Sequence, residues 1–70
     1  MNRLGNFIKQ KRLDEALTQQ ELAEQLGLTS VTISNLENGQ KVGSKTLKAL
    51  SKKFGIETKV LRRMQYENNQ

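Results

Sequence analysis

The run TSVTISNLENG, Thr29 to Gly39, gathers small hydrogen-bonding side chains at a spacing that a helix would put to use. On a period of about 3.6 residues, Ser30, Val31, Ser34, Asn35 and Asn38 fall on one face, and Ile33, Leu36 and Glu37 fall on the other. The first face carries no charge, although 27% of the chain is Asp, Glu, Lys or Arg. A merely solvated face in such a chain should hold a Lys or a Glu, so small neutral donors and acceptors point to direct contact with a ligand. The chemistry on offer is recognition by hydrogen bonding. Covalent and metal chemistry have little to work with: the chain has no Cys and no His, which removes thiolates, imidazole bases, disulfides and most zinc or transition-metal sites. No pair of carboxylates suggests a catalytic cleft, so neither an enzyme nor a cofactor is expected.

The nature of the ligand is suggested by charge. The formal net charge is +5, and it is unevenly placed. Residues 1–35 hold four basic side chains and four acidic ones, whereas residues 36–70 hold eight basic and three acidic. An excess confined to one half of a small chain suits a polyanionic partner better than a uniformly solubilising surface does.

Around these residues the sequence reads as a set of short helices. Seventy residues suffice for one small domain, expected over 1–70 with its core between about Leu4 and Leu61. There is no Pro, no strand-like alternation, and Gly27, Gly39, Gly43 and Gly55 punctuate the later apolar segments. The first helix is expected from about Asn2 to Ala16, with Leu4, Phe7 and Ile8 inward. The second opens at TQQE, where Thr18 can cap and Glu21 can complete a capping box, and buries Leu22, Ala23 and Leu26. Thr29 is placed to cap the third. The fourth begins near Ser44, with Leu47, Leu50 and Phe54 inward, and ends at Gly55. The fifth begins at Glu57 or Thr58 and buries Val60 and Leu61, with Met64 and Tyr66 as further candidates, before a frayed tail, YENNQ. The N-terminus has no uninterrupted apolar run, and nothing approaches the ~20 apolar residues of a membrane span. A soluble, cytoplasmic protein is expected.

Two charges stand out of place on this scheme. Arg12 lies one helical step beyond Leu4 and Ile8 on the apolar face, and Glu37 one step beyond Ile33 on the inward face. Paired, they account for each other as a partly buried bridge tying the first helix to the third.

The second helix, a short turn and the third helix form TQQELAEQLGLTSVTISNLENG, in which Ala23 permits close helix approach and Gly27 a turn that a Cβ would penalise. This run, with Arg12 upstream and LKALSKKFGI downstream, resembles the Cro/CI-type (XRE-type) helix-turn-helix regulators of bacteria and phages. The resemblance implies an all-α, lambda-repressor-like bundle of five short helices, binding double-stranded DNA. It also implies the Arg12–Glu37 bridge.

A helix fits the major groove of B-DNA, where each base pair shows a distinct pattern of donors and acceptors. By the resemblance, Ser30, Val31 and Asn35 face the bases, with Thr32 and Ser34 at the margins. Ordinary helix surface is the competing account of Thr32 and Ser34, and partial core burial that of Val31. Gln19 is implied as a phosphate contact at the start of the second helix, and Asn38, Gln40, Lys41, Lys45 and Thr46 are the phosphate candidates in NGQKVGSKT. Lys48, Lys52 and Lys53 read as solvated surface. Phage repressors of this type carry Gln where this chain has Ser30, and Ser is too short to brace Gln19 against a base.

Two functions are consistent with these features. The first is sequence-specific transcriptional regulation, as a repressor acting as a homodimer on a two-fold-related operator, associated with the nucleoid through DNA. The second is a protein-interaction module, an antitoxin or anti-repressor partner whose ligand is another protein. Salt separates them, because phosphate contacts weaken steeply with ionic strength and an apolar interface does not.

Overall fold

The computed structural model describes residues 3–67. Five helices follow in order: α1 (Arg3–Asp14), α2 (Gln19–Leu26), α3 (Ser30–Glu37), α4 (Ser44–Phe54) and α5 (Thr58–Tyr66). No strand occurs among the described residues. The all-α architecture expected from the sequence is therefore present, and each helix supplies part of one apolar core: Leu4, Ile8, Leu22, Ala23, Ile33, Leu36, Leu47, Leu50 and Leu61. Phe7, Leu26, Phe54 and Met64 pack against that core while remaining partly exposed.

Local chemistry sets the ends of the helices that matter for function. Thr18 Oγ1 accepts from the Glu21 N–H at 3.0 Å and Glu21 Oε1 accepts from the Thr18 N–H at 2.8 Å, a complete capping box at the start of α2. Gly27 closes α2 in the left-handed region at φ 71, while the Leu28 N–H reaches back to the Ala23 carbonyl at 2.8 Å. Thr29 then caps α3, accepting from the Thr32 N–H at 3.3 Å. Two Thr caps and one Gly turn thus fix the direction in which α3 leaves α2.

The structure corrects several boundaries. Helix α1 ends at Asp14, not Ala16, because Glu15 and Ala16 turn the chain: Ala16 has φ 57, its N–H bonds the Leu13 carbonyl at 2.9 Å, and the Leu17 N–H bonds the Arg12 carbonyl at 3.0 Å. This is a helix-ending motif that normally uses Gly at the left-handed position. Val60, expected in the core, is 38% exposed. The inward line of α5 runs through Leu61 and Gln65, one turn apart, and leaves Val60 at its edge. Tyr66 is exposed, yet it is the last residue of α5 rather than part of a frayed tail. Asn2 and residues 68–70, also assigned in that reading, lie outside the described residues.

One close approach had no counterpart in the periodicity. A Cβ at Gly5 would lie 2.5 Å from the Leu36 carbonyl oxygen and 3.1 Å from that of Glu37. The missing side chain lets α1 cross the end of α3 in near-backbone contact at Leu36 and Glu37.

Candidate nucleic-acid interface

The site is built on α3 and the segments at either side of it. Ile33, Leu36 and Glu37 are buried and hold the helix against α1 and α2. The opposite face is open: Ser30 and Asn38 are exposed, Ser34 and Asn35 are half-exposed, and Val31 is 65% exposed. That exposure excludes core burial as the reason for an apolar residue at position 31. The side chains of Ser30, Ser34 and Asn35 make no hydrogen bond among the described residues, so their donors and acceptors are available. Thr32 differs, since its hydroxyl lies 3.1 Å from Thr29 Oγ1 within the cap.

Behind this face lies the Arg12–Glu37 bridge. Arg12 Nε donates to Glu37 Oε2 at 2.7 Å and Arg12 Nη2 to Oε1 at 3.1 Å, a bidentate pair with both partners buried. Arg12 Nη1 also donates to the Leu17 carbonyl at 2.7 Å, anchoring the α1–α2 connection. The hydrogen bonds to the Glu37 carboxylate raise the Arg12 guanidinium further above its ordinary value. The pair anticipated from the sequence is therefore present, and it has a third member. Gln19 Nε2 donates to Glu37 Oε1 at 3.1 Å. In this chain Gln19 is oriented by Glu37, where Ser30 offers no brace.

The segment after α3 carries the other candidates. Asn38, Gln40, Lys41 and Lys45 are exposed. The Gln40 N–H bonds the Asn35 carbonyl at 3.0 Å, which ties the loop to the end of α3. Lys41 Nζ lies 4.5 Å from the centroid of the Tyr66 ring. Thr46, by contrast, is only 9% exposed, in the first turn of α4. Lys48 and Lys52 are exposed, whereas Lys53 is engaged, 3.2 Å from Glu15 Oε1 and 5.5 Å from the Phe54 ring centroid.

Gln65 was absent from the sequence-based set of residues. It is 4% exposed, its Oε1 accepts from the Val42 N–H at 2.7 Å, and its Nε2 donates to the Val42 carbonyl at 3.2 Å. Its position four residues after Leu61 on the inward line was the available signal, but a polar side chain there does not register in an apolar pattern.

Two capped helices joined by a Gly turn, the second presenting an uncharged hydrogen-bonding face beside a basic segment, define a DNA-binding helix-turn-helix. Comparison with known proteins carries this further. The helix-turn-helix family profile matches residues 8–61, and the chain belongs to that XRE-type family of DNA-binding regulators. It is also similar to the ImmF control region 10 kDa protein of Bacillus phage phi105, with 36% identity over 61 residues, covering 86% of this chain and 68% of the relative. No helix among the described residues is long and apolar enough to cross a membrane.

Proposed function

We propose that the protein is a sequence-specific transcriptional repressor that binds a two-fold-related operator as a homodimer, with α3 in the major groove. The observation that carries this reading is the open, uncharged face of α3, whose donors and acceptors have no internal partner among the described residues. Asn35 matches the N7 and N6 edge of adenine, Val31 suits a thymine methyl, and Ser30 serves as donor or acceptor, with Thr32 and Ser34 at the margins. Gln19 at the start of α2, and Asn38, Gln40, Lys41 and Lys45 after α3, take the phosphates on either side. Thr46, largely buried in the first turn of α4, is the remaining phosphate candidate, and Gly43 leaves that helix start without a side-chain cap. The control-region description of the phage relative is in keeping with this role.

Selection of binding sites from a random duplex pool tests the proposal. The expected result is an enriched motif with inverted half-sites, bound by two protomers. A pool that yields no motif would reject sequence-specific recognition, and a motif without two-fold symmetry would reject the homodimer.

A further inference from the structure

The basic loop between α3 and α4 has no regular structure of its own from Gln40 to Gly43, yet Val42 within it is held at both its N–H and its carbonyl. The hold comes from the last turn of α5. Gln65 meets the Val42 N–H at 2.7 Å and the Val42 carbonyl at 3.2 Å, so one carboxamide serves both polar groups of a single residue, as a neighbouring strand would. The side chain doing so is almost fully buried. The next residue, Tyr66, places its ring under the ammonium of Lys41, 4.5 Å from centroid to Nζ. Adjacent residues of α5 therefore grip adjacent residues of the loop, one through the main chain and one through the charge. Both gripping residues lie beyond the family match, which ends at Leu61.

We propose that Gln65 and Tyr66 are positioning residues for DNA binding, which set the path of the α3–α4 loop and the direction of the Lys41 side chain so that the loop meets the DNA backbone already ordered. This rests on the reading of that loop as a phosphate-binding segment. Ordering the loop before binding removes an entropy cost from the encounter, and the benefit applies to any sequence because phosphates carry no base identity.

The test uses the full chain with Lys41→Ala, Gln65→Met, Tyr66→Leu and Lys41→Ala/Gln65→Met. Met fills a space similar to that of Gln and removes both hydrogen bonds, and Tyr66 is exposed, so Tyr66→Leu leaves the core intact. Affinity is measured against salt on a selected duplex and on an unrelated duplex, together with hydrogen exchange at the Val42 amide. Gln65→Met is expected to speed exchange at Val42 and to weaken binding to both duplexes by about tenfold, the loss of roughly one charge-assisted contact. Base preference should be unchanged. The salt slope should fall by up to about one unit, as in Lys41→Ala, and the double variant should lose little more than either single one. Tyr66→Leu should lower affinity and slope in the same direction with Val42 exchange unchanged. A lowered slope in Lys41→Ala with wild-type affinity and slope in both Gln65→Met and Tyr66→Leu overturns the positioning role and leaves the phosphate reading standing. An unchanged slope in Lys41→Ala overturns both. Should Gln65→Met not fold, wild-type binding by Tyr66→Leu alone overturns the claim on Lys41.

Discussion

Gln19 and Arg12 share an acceptor: each donates to Glu37 Oε1, at 3.1 Å in both cases. One carboxylate on α3 thereby joins side chains from α1 and α2. The buried charge is matched by a guanidinium, and the amide that starts α2 is held at the edge of the interface. A carboxamide nitrogen carries two hydrogens, so Gln19 keeps one for a ligand while the other fixes its direction. A bridge that looks purely structural in the sequence thus also aims a proposed DNA contact.

The pair itself should matter more than any exposed ion pair in the chain. Arg12→Ala or Glu37→Ala strands a buried charge and is expected to cost about 3 kcal/mol or more, a large share of a small domain's stability. The double variant should lose less than the sum of the two. Denaturant unfolding of all four proteins measures the coupling, and strict additivity would show that the two side chains act independently.

Ala16 occupies a left-handed position that favours Gly. Ala16→Gly should stabilise the protein by roughly 0.5–1 kcal/mol, since relief of backbone strain outweighs the added freedom of the unfolded chain. A fall in melting temperature would mean that the turn after α1 is not strained at this residue.

Acid should loosen the start of α2. The Thr18 backbone N–H and hydroxyl hold the Glu21 carboxyl below its ordinary value. A group whose value is depressed in the folded state adds stability above its unfolded value, and that increment is lost as pH falls through the folded one. Glu21→Gln keeps an acceptor for Thr18 but does not titrate in this range. The melting temperatures of wild type and Glu21→Gln should therefore differ most at neutral pH and converge as pH falls below the ordinary carboxylate range. Curves that run parallel throughout would remove Glu21 from the acid response.

Lys45 is exposed on the first turn of α4 and has no acidic partner among the described residues. Lys45→Ala should weaken binding to all duplexes alike and reduce the salt slope by about one unit. A change confined to one sequence would reassign Lys45 to base recognition.

What was legible in the sequence divides along physical lines. The capping box at Thr18 and Glu21 and the turn at Gly27 are local, encoded by residues a few positions apart, and both appear as expected. The Arg12–Glu37 bridge spans 25 positions but announces itself as two charges on apolar faces. Val60 misled because two adjacent apolar residues on a helix point about 100° apart, and only the partner helices decide which is inside. Gly5, Gln65 and the Gln19–Glu37 bond depend on how helices cross, which periodicity along one helix does not encode. The low exposure of Thr46, 9% in the first turn of α4, likewise comes from helix packing and not from its residue type.

Asn35 provides the most discriminating test of the proposed groove contact. Its carboxamide has no partner among the described residues, while its carbonyl anchors the Gln40 N–H, so the helix end that carries it is braced and the side chain is available. A carboxamide pairs bidentately with adenine, and one good pair supplies about 1–3 kcal/mol of discrimination. Asn35→Ala should therefore relax preference at one base pair per half-site while leaving the fold and non-specific affinity unchanged. With Val31 beside it suited to thymine, the affected half-site core should lean toward A·T. In a symmetric dimer the relaxed positions should recur about 34 Å apart, one helical turn, or at a multiple of it. Competition among all four bases at each operator position, for wild type and Asn35→Ala, measures this directly. Equal loss on every sequence, or an unaltered preference at every position, would show that Asn35 does not read a base and that another face of the protein enters the groove.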